Sequence, residues 1–188
     1  MSERKRIYLC LAHMSEAGLE QKYIKEAFDT NWVVPLGPNV NGFEKDLEDF
    51  VNLNVNANLN KRVVALSAGT AAVHLALIAS EVKAGDEVIV PANTYIASIL
   101  ALTENGLVPV LAEPCYDTLE LDESQLEKLI TPKTRSILLV HLYGRCAYNE
   151  TIGRLCHQYN LKLVEDNAQA HGCKHTDGLR TGSIGDAA

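Results

Sequence analysis

Apolar side chains recur at helical spacing at Leu19, Tyr23 and Ala27, between charged residues, and predict a helix over 16–31. Phe43, Leu47 and Phe50 share one face of a second predicted helix over 42–52, with Asn41 as its cap. The link between them, 32–38, is apolar with two prolines and a glycine and reads as a shaped loop. Residues 52–60 carry five asparagines and read as a surface turn. Residues 1–15 read as an extended lead-in.

From residue 62 onward the pattern changes to short apolar runs alternating with helical stretches. Strands are predicted over 62–66, 87–90, 107–112, 136–140 and 161–165. Helices are predicted over 70–80, 95–105, 122–130 and 150–159. Asp122, with Gln125 three residues later, has the spacing of a capping box. Strands alternating with helices imply βαβ units. The expected fold class is therefore α/β, a mostly parallel sheet flanked by helices. Ligands of such sheets bind beyond the carboxyl ends of the strands. Function is therefore to be sought just after residues 66, 90, 140 and 165.

After the first run comes Ser67-Ala68-Gly69-Thr70-Ala71-Ala72. Free N–H groups at a helix start favour a phosphate, and a tight strand-to-helix turn has the same composition. After the second comes Pro91-Ala92-Asn93-Thr94-Tyr95, whose aromatic ring suits stacking on a planar ligand or packing on a helix. His141 follows the strand ending at Val140 and reads as an acid, a base or a structural histidine. Asp166 follows the strand ending at Glu165, in Asp166-Asn167-Ala168-Gln169-Ala170-His171-Gly172. A carboxylate at a buried strand end needs a cation or donor, which a protonated ring nitrogen or the next turn supplies. Taken in order, the features are a phosphate cup, an aromatic platform and a partner for a ring nitrogen.

Composition narrows the partners. The 188 residues are 47% hydrophobic and 22% charged, enough for a packed core and unlike a disordered chain. The formal charge of −7, with no basic block, argues against nucleic acid as a partner. No apolar run is long enough to span a membrane, and residues 7–14 lack the features of a signal peptide. The five cysteines are scattered, without a CxxC pair, so neither a metal site nor a disulfide framework is expected. A cytoplasmic location fits this usage. The glycosylation pattern Asn149-Glu150-Thr151 is read as chance.

Six stretches in order make the chain recognisable: NWVVPLGPNVNGF (31–43), LSAGTAAVHLAL (66–77), GDEVIVPANTYIAS (85–98), VHLYG (140–144), VEDNAQAHG (164–172) and GSIGD (182–186). They resemble the pyridoxal-phosphate-dependent sugar aminotransferases of the DegT/DnrJ/StrS type. The resemblance implies an aspartate-aminotransferase-like large domain over 62–188, incomplete at its C-terminal end, with 1–61 as an N-terminal segment whose helices pack on it. It implies pyridoxal 5'-phosphate as cofactor. Gly69, Thr70 and Ala71 would hold the phosphate and Tyr95 would stack on the ring. Asp166 would pair with the ring nitrogen, and Gln169 would lie near the phenolic oxygen. It places the 32–38 loop near a homodimer interface and the substrate mouth.

The implied reaction moves an amino group from an amino acid, glutamate in this reading, to a nucleotide-linked keto-sugar. The N-terminal stretch is similar to enzymes that aminate 4-keto sugars, and 85–114 to those acting on 3-keto-6-deoxy sugars. Two departures stand out. Ala68 replaces the second serine of the family's S-S-G-T. The sequence also ends at Ala188, before the S-F-x-x-x-K segment whose lysine forms the Schiff base, and none of its ten lysines lies in such a motif. The expectation is an inactive piece of an active parent. The alternatives are a sugar dehydratase of the same family and a non-enzymatic regulatory or scaffold protein.

Overall fold

The computed structural model describes residues 14–56 and 61–188. Most of the expected lead-in and the end of the asparagine-rich turn lie outside them. The elements are α1 (Leu19–Asp29), α2 (Pro38–Val51), α3 (Gly69–Ala79), β1 (Glu87–Pro91), α4 (Ile96–Glu104), β2 (Val108–Ala112), α5 (Glu123–Leu129), β3 (Thr134–Val140), α6 (Glu150–Tyr159) and β4 (Lys162–Asp166). Two compact units divide at Lys45/Asp46, inside α2.

In the first unit, α1 buries none of its residues. Its Ile24 and Phe28 border an open apolar groove with Trp32, Leu36 and Val40. Gly37 has φ +113°, and a Cβ there would lie 2.7 Å from the Trp32 ring. Glycine therefore lets the chain turn tightly against the indole. The second helix begins at Pro38, earlier than expected. Proline suits a first helical position because its missing N–H needs no partner there. Asn41 does not cap it. The Asn41 N–H already donates to Gly37 O at 3.0 Å, as a helical residue does.

The second unit is built on one sheet of order β2-β1-β3-β4, with every pairing parallel. Side-chain alternation splits the core in two. Ile89, Ile137, Leu139 and Leu163 face Leu126 of α5 and Ile152 and Leu155 of α6. Val88, Val90, Leu138 and Val164 face Val73 and Leu77 of α3 and Ala101 and Leu102 of α4. Burial on both faces explains why β1 and β3 read as unbroken apolar runs.

The strand expected over 62–66 does not form. Side chains from the end of α2 occupy the neighbouring backbone instead. Asn52 both donates to Lys61 O (2.8 Å) and accepts from Lys61 N–H (2.7 Å), and Glu48 accepts from Val63 N–H at 3.2 Å. Such bonds compete with a sheet ladder, and Val64 and Leu66 stay exposed. The capping box at α5 is also only half made. Asp122 accepts from Ser124 N–H at 3.0 Å, while its own N–H goes to Glu113 O rather than to Gln125.

The free side of β4 is lined by residues 186–187. Ala187 bridges Val164 in parallel, and Glu165 N–H donates to Ala187 O at 2.9 Å. This close approach requires Gly185, because a Cβ there would sit 2.5 Å from Leu163 O. Gly185→Ala is expected to lower unfolding free energy by roughly 1–3 kcal/mol, as overpacking a closed site does. Urea denaturation followed by circular dichroism checks it, and unchanged stability would show that 185–187 does not pack against β4 in solution.

Candidate active site

After β1 the chain runs outward to β2, then returns to β3 on the opposite side of β1. The connections that leave β1 and β3 thus part at the carboxyl edge of the sheet, the usual ligand position in open α/β sheets. A cavity of about 200 Å³ lies there, lined by Gly69, Thr70, Tyr95, His141, Asp166 and Gln169, with apolar walls from Val73 and Leu142. Five of the six residues expected at a site come together on it. Ala71 does not line it and contributes only its place in the first turn of α3.

The phosphate-cup end is the start of α3. Ala68 precedes it in extended conformation, with no side chain to cap it. The first N–H groups of a helix have no intrahelical acceptor, so these donors stay available to an anion, and the helix dipole adds to the attraction. A Cβ at Gly69 would meet no protein atom within 4 Å. The backbone at Gly69 therefore borders open space at the cavity. Tyr95 lies at the start of α4 with 69% exposure, its ring free of the core.

Asp166 ends β4 half-buried. Its Oδ2 accepts from the Ser98 hydroxyl at 2.7 Å and its Oδ1 from Ala168 N–H at 3.2 Å. Both oxygens are held, and each keeps lone-pair capacity for a further donor. Ser98 was not singled out in the sequence. The available signal was a small polar residue in the otherwise apolar first turn of α4. Gln169 Oε1 accepts from Tyr143 N–H at 3.1 Å, which ties the turn after β3 to the segment after β4.

His141 is a structural histidine. Its ring is fully buried, Nδ1 accepts from Ala147 N–H at 3.0 Å, and Nε2 lies 2.8 Å from Glu165 Oε2. An accepting Nδ1 puts the ring proton on Nε2, which donates to Glu165. Both nitrogens are therefore engaged by the protein. Glu165 is buried to 1% exposure and also accepts from the N–H groups of Gly182 (2.9 Å), Ile184 (2.9 Å) and Gly185 (2.7 Å). Nearby, Cys173 Sγ donates to Gly144 O at 2.8 Å, and burial pushes the Cys146 thiol up, away from thiolate chemistry.

Glu165→Gln would set an amide NH₂ against N–H donors that now meet a carboxylate. It is expected to destabilise the chain by about 2–4 kcal/mol, the scale for breaking buried charge-assisted hydrogen bonds. Hydrogen exchange should show the loss concentrated at the amides of Gly182, Ile184 and Gly185. Retained protection at those amides would contradict the role given to Glu165.

The sequence profile of the DegT/DnrJ/EryC1/StrS aminotransferase family matches residues 15–188. The chain is 40% identical over 168 residues to the dTDP-3-amino-3,6-dideoxy-alpha-D-galactopyranose transaminase of Aneurinibacillus thermoaerophilus, covering 89% of this chain and 44% of that protein. It is 39% identical over 188 residues to the GDP-perosamine synthase of Caulobacter vibrioides, covering 100% of this chain and 48% of that protein. It thus spans about half the length of the curated relatives it matches. Among solved structures it is similar to the Escherichia coli GDP-4-keto-6-deoxy-D-mannose-3-dehydratase with bound hydrated PLP. That match has a TM-score of 0.81 and 26% identity and covers 94% of this chain and 44% of that one.

Proposed function

The chain belongs to the DegT/DnrJ/EryC1/StrS aminotransferase family, and on that premise we propose that it is the cofactor-holding part of a pyridoxal-phosphate enzyme. The enzyme would transfer an amino group from an amino acid, glutamate in our reading, to a nucleotide-linked keto-sugar. One observation carries this reading. An uncapped helix start, an exposed aromatic ring and a carboxylate held at both oxygens border a single cavity at the strand ends.

These groups fit the cofactor's chemistry. When bound, pyridoxal phosphate supplies the electron sink for amino-group transfer. The N–H groups of Gly69 and Thr70, with that of Ala71 next in the same turn, would hold its phosphate. Tyr95 would stack on its ring. Asp166 would keep the proton on the ring nitrogen, and Gln169 would serve the phenolic oxygen. Among the described residues no lysine lines the cavity, and in this reading the Schiff-base lysine follows Ala188. The open groove of the first unit, lined by Phe28, Trp32 and Leu36, supports assembly as a homodimer. No described helix is long and apolar enough to cross a membrane, and free thiols at Cys115, Cys146, Cys156 and Cys173 support a cytoplasmic setting.

A second reading, a sugar dehydratase of the same family, draws on the 0.81 TM-score to such an enzyme. The α/β scaffold alone does not separate the two reactions, because both need the same cofactor seat. The residue at the Schiff-base position separates them, lysine for transfer and histidine for dehydration.

In the protein translated from the full reading frame, Asp166→Asn keeps side-chain size and removes the charge. Turnover should fall at least ten- to a hundredfold, the equivalent of roughly 1.5–3 kcal/mol for one charge-assisted contact. Undiminished turnover would end the assignment of Asp166. The 188-residue chain itself should bind pyridoxal phosphate reversibly. After borohydride reduction its intact mass should be unchanged. A stoichiometric adduct on one of its ten lysines would overturn the placement of the Schiff base after Ala188.

A further inference from the structure

We propose that Ser98, with Thr94 behind it, is a positioning residue that holds the Asp166 carboxylate ready for the cofactor's ring nitrogen. The proposal rests on the reading of Asp166 given above. Ser98 is fully buried in the first turn of α4 and lies 68 positions from Asp166 in the chain. Its hydroxyl is 2.7 Å from Asp166 Oδ2 and 2.9 Å from Thr94 Oγ1.

The direction of this relay follows from the groups themselves. An ionised carboxylate only accepts, so Ser98 donates its single proton to Asp166. It then accepts from Thr94, whose hydroxyl donates. The other Asp166 oxygen is fixed by Ala168 N–H. With one donor on each oxygen, the carboxylate plane cannot turn freely. Binding therefore does not have to order it, and preorganised groups bind more tightly for that reason. The arrangement also explains a hydroxyl in this place. The rest of the turn is Ile96, Ala97 and Ile99, and a buried serine without a partner would be costly.

A double-mutant cycle on the full-length protein tests this, with the pyridoxal phosphate dissociation constant as the readout, followed by fluorescence titration. Asp166→Asn should weaken binding. Ser98→Ala should weaken it about five- to tenfold, less than the roughly ten- to hundredfold of a whole hydrogen bond to a charged group, because the hydroxyl orients the carboxylate and does not touch the ligand. In the Asp166→Asn background Ser98→Ala should change binding less than about twofold, because the two residues act as one unit. Equal losses in both backgrounds, or no loss in either, would overturn the role of Ser98 and leave Asp166 untouched. Full affinity in Asp166→Asn alone would instead overturn the reading of Asp166. Should Ser98→Ala not fold, as judged by its thermal transition, Thr94→Ala carries the same cycle. It should show a smaller loss that also vanishes beside Asp166→Asn, and an additive loss would count against the relay.

Discussion

The Glu165 carboxylate is the point on which the carboxyl edge of the sheet depends. It is buried to 1% exposure, and taking such a charge from water costs several kcal/mol unless it is fully paired. Four donors surround it: the His141 imidazole and the N–H groups of Gly182, Ile184 and Gly185. One side chain thus ties the end of β3, the end of β4 and the 182–185 turn together. That turn in turn delivers Ala187 to the open side of β4. A neutral amide at 165 would keep an acceptor for only part of this set, and a shorter residue would leave three backbone donors and a histidine unsatisfied in the interior.

Strand alternation then assigns the neighbouring carboxylate its task. Successive residues of β4 point to opposite faces. Glu165 turns toward His141 and the 182–185 turn, and Asp166 turns toward Ser98 and the cavity. Two adjacent acids so perform different work. One is enclosed and structural, and the other is half-buried and open to a ligand. The cavity has a positive pole at the uncapped start of α3 and a negative one at Asp166. A ligand with a phosphate at one end and a protonated nitrogen at the other matches that polarity.

Periodicity located most elements because burial is periodic. The stretch 150–159 is helical as read, with Asn149 capping it through Ile152 N–H at 3.1 Å. The apolar runs of β1 and β3 lie in the sheet, within about two residues of their expected bounds. Where the structure departs from the local pattern, side chains or backbone carbonyls outside the stretch hold its N–H groups. Glu48 and Asn52 bind the chain at 61–63, and Glu113 O accepts the Asp122 N–H. A local pattern holds no trace of such partners.

Periodicity carried the α/β class and the order of elements, apart from the strand expected over 62–66, and the family resemblance named the five residues that meet on the cavity. Alternation and helical spacing are properties of consecutive residues, and strand ends follow from them. Tertiary packing makes His141 structural rather than an acid or base, because its partners, Glu165 and Ala147, meet it only in the folded chain. It alone joined Ser98 to Asp166 and Gln169 to Tyr143. It alone showed that Glu165, unremarkable in an apolar run, anchors the edge. Hydrogen bonds act over about 3 Å, and which groups come that close is set by how helices and strands pack, not by the spacing of residues along the chain.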